Sequence, residues 1–452
     1  MTEQPQGHVF PKWGPRGPFR VYSWTQASVT VFGLLSGALM LVAGMGGPAL
    51  VLVGVLGAMT LRDPTGMPVW TRVGLGLRYL VSGWLGHRRW SAADDEVPSW
   101  LSGVEVSGHE LAHGMVGVVR DRGRYLAAMR VSPTRDPWLQ NRSDREAAAD
   151  EWARVLTSLP VETVDRLQVL TVSREGGGDT LRDDAAQADG PSLEVVKEAA
   201  AFLAAHVRHT ETVLVVRLSL AATSDAVKRG GEAAVGRLLY STLQHLGAQL
   251  PPERLNAEIL APGDWHHLFH MVLAVDTSGR AGMPSPSAVK ETWNAVTVDG
   301  TIHRLLWMWQ WPQRPMATGF LAPLLTAHGN LAVSLVVAPA DPERHQRSLD
   351  WAYRRAQAAV DTAKSSRHRK EAELDSLDRQ LRELNEGHVP VRVLATVAVS
   401  ADTDDQVDDL AGTVRSHGVA GSCRIATHGG RQMRALPWVL PLCRGLDKGV
   451  DG

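Results

Sequence analysis

Residues 21–61 contain no aspartate, glutamate, lysine or arginine, and this charge-free run constrains the chain more than any other feature. A helix that crosses a hydrocarbon core of roughly 30 Å needs about 20 mostly apolar residues. The run holds two shorter candidates, at about 27–45 and 48–61 (the hairpin as a whole reaching 63), the second short for a span, with Gly46-Gly47-Pro48 between them as a tight turn. Gly33 and Gly37, and Gly54 and Ala58, have the small-xxx-small spacing that lets two helix backbones approach. A cleaved signal peptide fits poorly, because the apolar stretch begins late, runs long and continues into a second span. Lys12, Arg16 and Arg20 precede the spans, Arg62, Arg72, Arg78, Arg88 and Arg89 follow them, and the turn carries no basic residue. The positive-inside rule then predicts a two-span cell-membrane protein with both termini cytoplasmic and membrane lipid as a partner.

The chain has 452 residues, 47 basic and 48 acidic. Such a balance lacks the basic excess that marks a nucleic-acid binder, so no direct nucleic-acid binding is expected. Two cysteines, Cys423 and Cys443, are too few for a disulfide framework and fit a reducing compartment.

Beyond the spans, Val69, Val73, Leu77, Leu80 and Trp84 recur at helical spacing among basic residues, predicting an amphipathic helix. Residues 91–100 read as a linker. Short apolar strands follow at 103–106, 115–120 and 125–131, with a turn at Asp121-Arg122-Gly123. Ser143 and Glu146 have capping-box spacing and open a helix running to about 159. A strand at 167–173, a polar loop at 175–190, a helix at 193–206, a strand at 212–220 and a helix at 233–246 ended by Gly247 come next. Strict alternation over 304–311 puts Trp307, Trp309 and Trp311 on one side of a strand, where packing under a helix is the favoured reading. After a strand at 331–337, residues 341–387 are densely charged and helical. Leu374, Leu377, Leu381 and Leu384 form a short seam there, and a basic bend lies at 364–370. A strand at 391–399, a helix at 403–417 and a strand at 422–427 close the chain as a βαβ-like unit. Alternating strands and helices predict an α/β (α+β) fold.

One catalytic motif has to be weighed. His109-Glu110-Leu111-Ala112-His113 matches H-E-x-x-H, which binds zinc through two histidines on one helical face and uses the glutamate as base. Its flanks are wrong for a helix: Gly108, Gly114 and Gly117 surround it, and Glu105-Val106 and Val118-Val119 read as the arms of a hairpin with 109–113 as its loop. His266 and His270 offer a third ligand but sit on an ordinary capped helix pattern. No Gly-Lys dipeptide occurs, which removes a P-loop, and neither a G-x-S-x-G elbow nor a Cys-x-x-Cys pair is present. The chain is therefore expected to be no enzyme, without catalytic, metal-binding or cofactor-binding residues and without a cofactor. The membrane-bound zinc metalloprotease is the residual alternative.

The two-helix hairpin followed by a Trp- and Arg-containing helix resembles the PrgI/VirB-three-like membrane subunits of conjugative type IV secretion systems. The charged helices from Asp341, the strand 391–399, Asp404-Asp405-Gln406-Val407-Asp408-Asp409-Leu410, Arg431-Gln432 and Leu440-Pro441-Leu442-Cys443-Arg444-Gly445-Leu446 resemble the N-terminal, non-ATPase domain of the CagE/TrbE/VirB-four ATPases. In that family a similar Leu-Pro-Leu ending leads into the motor domain, whereas here the chain ends six residues after Leu446. The resemblance implies a non-catalytic membrane subunit of a conjugative DNA-transfer machine. Other secretion-channel membrane subunits and a separate motor ATPase would be its partners, and homo-oligomerisation stays open. An EccE-like component of a type VII apparatus is the alternative. The expected organisation is a cytoplasmic segment (1–26), the transmembrane hairpin (27–63), a basic amphipathic helix and linker (64–98), a cytoplasmic α/β domain (99–340), a charged helical hairpin (341–387) and a βαβ-like end (388–452).

Overall fold

A computed structural model describes residues 69–86, 88–92, 100–111, 114–134, 159–175, 208–251, 255–273, 286–312, 320–325, 327, 329–340, 342–361, 367–385 and 390–446, together with Ser36, Pro98 and Val155. Helix α1 (Val69–Trp84) is followed by β1 (Arg89–Ser91). Strands β2 (Val104–Leu111), β3 (Gly114–Asp121), β4 (Arg124–Pro133), β5 (Val164–Glu175) and β6 (Arg208–Leu218) come next. Helix α2 (Leu220–Gln249), β7 (Leu255–Ile259) and α3 (Pro262–Leu273) precede a hairpin run of β8 (Ala288–Glu291), β9 (Val296–Val298) and β10 (Thr301–Gln310). Helix α4 (Ala322–Leu325) and β11 (Asn330–Pro339) lead to the charged helices α5 (Pro342–Asp361) and α6 (Arg367–Asn385). The chain closes with β12 (Val391–Ala401), α7 (Asp404–Ala420), β13 (Arg424–Thr427) and α8 (Gln432–Ala435).

Two compact units divide these elements. The larger takes residues 101–284, 332–395 and 437–452, and the smaller takes 1–100, 285–331 and 396–436.

In the larger unit the strand order is β11-β5-β6-β4-β3-β2. Strand β4 organises it: Arg124 to Ala127 pair with β3, Met129 to Pro133 pair with β7 along that same edge, and Leu126 to Val131 pair with β6 on the other, all antiparallel. The β3–β4 connection has only Arg122 (φ 50°) and Gly123 (φ 77°), the left-handed pair that a two-residue hairpin turn needs. Val116, Val118, Met129, Leu214 and Val216 on the strands bury against Leu239, Leu243 and Leu246 of α2. Side chains at i, i+4 and i+7 give that helix one apolar stripe. Its start is capped by Ser219, whose hydroxyl accepts from the Ala222 amide at 3.2 Å.

A buried polar network holds residues 440–444 within this unit. Arg444 donates through Nε and Nη2 to Asp121 at 2.8 and 2.5 Å, both residues being almost fully buried. Gln168 on β5 donates to Ser334 Oγ (2.8 Å) and the Leu440 carbonyl (2.9 Å) and accepts from the Cys443 amide (2.7 Å). The Leu440–Arg444 stretch is thus held by hydrogen bonds matched to buried partners, which is what makes its burial tolerable.

The smaller unit repeats the connectivity around β10. Thr301 to His303 pair with β9, Leu306 to Gln310 pair with β13 along that edge, and Ile302 to Trp307 pair with Ala401 to Thr396 of β12 on the other. The β9–β10 turn is again two left-handed residues, Asp299 (φ 48°) and Gly300 (φ 94°). Helix α7 again follows its strand behind a hydroxyl cap, Thr403 accepting from Gln406 N. The series hairpin, central strand, flanking strand, helix, returning strand therefore occurs twice, as β3-β4-β6-α2-β7 and as β9-β10-β12-α7-β13. In each, the strand–helix–strand element straddles a central strand, the split form of the βαβ unit.

These observations correct two expectations. The α/β fold preceded by a transmembrane hairpin gives way to units built on antiparallel sheets. Helices α2 and α7 do separate strands in sequence, but the strands each of them joins are both hydrogen-bonded antiparallel to the one between them. The two-span cell-membrane assignment is corrected as well: among the described residues no helix is long and apolar enough to cross a membrane. Helix α1 has 16 residues, about 24 Å at 1.5 Å per residue, which is short of a hydrocarbon core. Helix α2 is broken at Gly230-Gly231. The predicted spans at 27–45 and 48–63 lie outside the described residues apart from Ser36. So do the segment 1–26, the loop 176–190, the helix 193–206 and most of the helix 143–159.

Candidate functional site

The H-E-x-x-H residues lie in a hairpin arm. His109 and Glu110 belong to β2, opposite Val116 and Met115 of β3, and only 112–113 separate the two strands. The motif's zinc chemistry needs its two histidines one helical turn apart, and His109 stands on a strand, where successive side chains point to opposite faces. His109 instead packs against α2, where a Cβ on Gly236 would lie 2.9 Å from its ring. His270 is buried on α3 and His266 is half-buried on the same helix. Among the described residues no group of three or more His, Cys, Asp or Glu side chains is placed to hold a metal ion.

The tryptophan stripe runs along β10 and one residue past it, but the pairing with β13 shifts register between Met308 and Gln310. Only Trp311 is buried, while Trp307 and Trp309 are half-buried. Trp307 stacks on His428 with ring centroids 5.5 Å apart, and the Arg424 guanidinium lies 5.7 Å from the Trp309 ring. Burial, then the neighbouring Arg431 charge, pushes His428 down to about 3, so its imidazole is neutral in the fold.

His428 opens the turn His428-Gly429-Gly430-Arg431, to which α1 is attached. The Trp293 indole lies flat on the two glycines, where added Cβ atoms would come within 2.9 and 2.7 Å of it. Gly430, at φ 66°, donates its amide to the Trp293 carbonyl at 2.7 Å. Tyr79 of α1 meets Trp293 edge-on at 5.1 Å, and Arg88 covers the Tyr79 ring at 3.6 Å while donating to the Tyr79 carbonyl. A cation there also complements the negative C-terminal end of α1.

With Tyr79 and Leu75 turned inward, the apolar stripe of α1 faces solvent. Leu77, Leu80, Val81 and Trp84 are 60%, 65%, 53% and 88% exposed. Beside it lie Arg78, Arg431 and Arg434. Burial first, then the Arg434 and Arg78 charges, push Arg431 below the usual arginine range. The Glu291 carboxylate, on β8, is turned to the Gln432 and Met433 amides, and burial raises its pKa. The larger unit has a cavity of about 520 Å³ lined by residues that include Met115, Met129, Tyr240, Leu243, Leu255 and Ile259. Sequence reasoning found the periodicity of α1 but not its orientation. The turn went unread, although the Gly429-Gly430 pair in the sequence signals it.

The segment from just before β6 through most of β10 is similar to a secretion-system component. Residues 206–308 match the family model described as "Putative type VII ESX secretion system translocon, EccE", a match over less than a quarter of the chain. No curated protein matches the chain. The coarser expectation, a secretion-system component with other subunits as partners, agrees with this match. The match is to a type VII family, which the sequence resemblance ranked behind conjugative type IV subunits.

Proposed function

We propose that this chain is a non-catalytic, EccE-like subunit of a type VII secretion apparatus and that it acts by holding other subunits. The observation that carries the reading is the match over 206–308, which includes β6, α2, β7 and α3 of the larger unit and reaches into the central strand of the smaller. The strand placement of His109 and Glu110 supports a non-catalytic role, since the motif's chemistry needs both histidines on one helical turn.

Deletion of the gene in the organism that encodes it, followed by proteomics of the culture filtrate, tests the proposal. Small helical proteins exported by the type VII route should disappear from the filtrate and return on complementation. Unchanged export together with lost DNA transfer between cells would move the protein to a conjugative machine.

A further inference from the structure

We propose that the outward face of α1, with the guanidiniums of Arg78, Arg431 and Arg434 along its edge, is a docking surface for an acidic amphipathic helix of a partner protein. The inference deepens the functional reading, on which the partner would be another subunit of the secretion apparatus.

Two independent observations meet here. The first is the direction in which α1 faces. Soluble helices bury their apolar stripe, whereas Val73, Leu77, Leu80, Val81 and Trp84, at i, i+4, i+7, i+8 and i+11, all face outward, and Leu75 and Tyr79 hold the helix down. A contiguous exposed stripe rimmed by polar residues marks an interaction site. It extends over about 17 Å of helix, the reach of the i, i+3/i+4, i+7 anchors through which helices recognise one another.

The second observation is charge without countercharge. Among the described residues Arg78, Arg431 and Arg434 have no carboxylate partner, and Arg431 Nε is buried with no hydrogen-bond acceptor. Their grouping follows from the packing already described: Tyr79 sits on Trp293, Trp293 sits on Gly429-Gly430, and Arg431 stands at the N-cap of the short helix that contains Arg434. The adjoining carboxylate, Glu291, is occupied by backbone amides. Assembling guanidiniums in this way is unfavourable until carboxylates arrive, and a planar guanidinium accepts a carboxylate in a fixed two-bond geometry. On a wheel of 100° per residue, Arg78 lies next to Val81 and Leu85 at one margin of the stripe. The fitting partner therefore carries apolar anchors along one helical face and acidic residues at its margin. A fixed, half-buried guanidinium suits a partner with fixed carboxylates better than a fluid anionic surface.

The test uses the full chain in its native host, with a photocrosslinking amino acid at Leu80 and, as control, at Val161, which is exposed in the larger unit. The Leu80 position should yield a defined protein adduct, mapped by mass spectrometry to a helical segment with acidic residues beside apolar ones. Combining Arg78→Glu with Arg434→Glu, both at exposed positions, should lower the adduct about tenfold, as rim charge reversal does. Changing the mapped acidic residues to lysine should restore it. The proposal is overturned if Leu80 gives no adduct, if it crosslinks only within the chain, to a second copy or to lipid, or if charge reversal leaves the yield unchanged. It is overturned too if the purified chain binds vesicles of neutral and anionic phospholipid and loses that binding on Leu80→Glu. A charge-complementary adduct with a protein outside any secretion apparatus would keep the surface and overturn the functional reading instead.

Discussion

At the residue scale, one glycine of the larger unit lies too close to its neighbours for a side chain. A Cβ on Gly117 would lie 2.6 Å from Trp265 Cδ1 and 2.8 Å from the Ala261 carbonyl carbon, while Trp265 Nε1 donates to the Gly117 carbonyl at 3.0 Å. An indole with no exposed surface and a backbone carbonyl cannot both give way cheaply. Gly117→Ala should therefore cost about 1–3 kcal/mol in urea denaturation. Gly76→Ala, where nothing lies within 4 Å of the added carbon, should be neutral or stabilise α1 by up to about 1 kcal/mol. His428 supplies a pH dependence of definite sign. Its folded pKa of about 3 lies below the ordinary 6.5, so between these values the unfolded chain takes up a proton that the fold refuses. Stability from this group is complete above the unfolded value and falls by about 1.4 kcal/mol per pH unit as the solution is acidified through that window. His428→Phe keeps a ring against Trp307 and should flatten the loss of stability between about pH 6 and pH 4. Parallel pH profiles for the two proteins would show that the imidazole is protonated in place.

At the element scale, α2 shows both what the sequence makes plain and what it hides. The helix is predicted to begin at 233, but helical structure starts at Leu220 behind the Ser219 cap and is interrupted at Gly230-Gly231. The break is real within it: Gly231 has φ 63° and ψ −154°, a conformation essentially confined to glycine. Gly231→Ala should destabilise by about 1–3 kcal/mol rather than bring the gain that alanine gives in a regular helix, as measured by thermal unfolding followed at 222 nm. An increase in stability would mean that the two helical parts straighten into one. Local chemistry of this sort was legible in the sequence: the Arg122-Gly123 turn, the apolar run of β6, the Thr403 start of α7. Asp299-Gly300 carried an equally strong hairpin signal between Val298 and Thr301 and went unread. The direction of the sheets was not legible. A strand, a helix and a strand in succession leave open whether the second strand joins the first or passes to the far edge of a third, and the register of β4 and β10 decides that through contacts far apart in sequence. The candidate surface was half legible for a like reason. The spacing of Leu77, Leu80 and Trp84 makes α1 amphipathic, but only the seating of Tyr79 on Trp293 shows that the apolar side is the outer one.

At the scale of the whole molecule, the two cysteines fall one in each compact unit, Cys423 in the smaller and Cys443 in the larger. Burial pushes Cys423 up to about 11 and Cys443 up to about 12, so neither offers a thiolate near neutral pH, and neither is reached by solvent. In the folded protein both should resist an aromatic disulfide reagent for as long as their units stay closed. Their surroundings then set the order of release. Cys423 precedes a four-residue strand at the end of α7, whereas Cys443 sits in the Gln168 and Arg166 network, with Arg166 donating to its carbonyl at 3.0 Å and its own thiol directed at the Val215 carbonyl. Opening the site of Cys443 therefore requires loss of buried polar pairing as well as of apolar contact. With Cys423→Ser and Cys443→Ser used singly, the thiol left in the smaller unit should become reactive at a lower urea concentration than the thiol left in the larger. Release of both at one midpoint would show that the two units unfold as a single cooperative body, and release of Cys443 first would show that the Leu440–Arg444 stretch detaches before its unit opens.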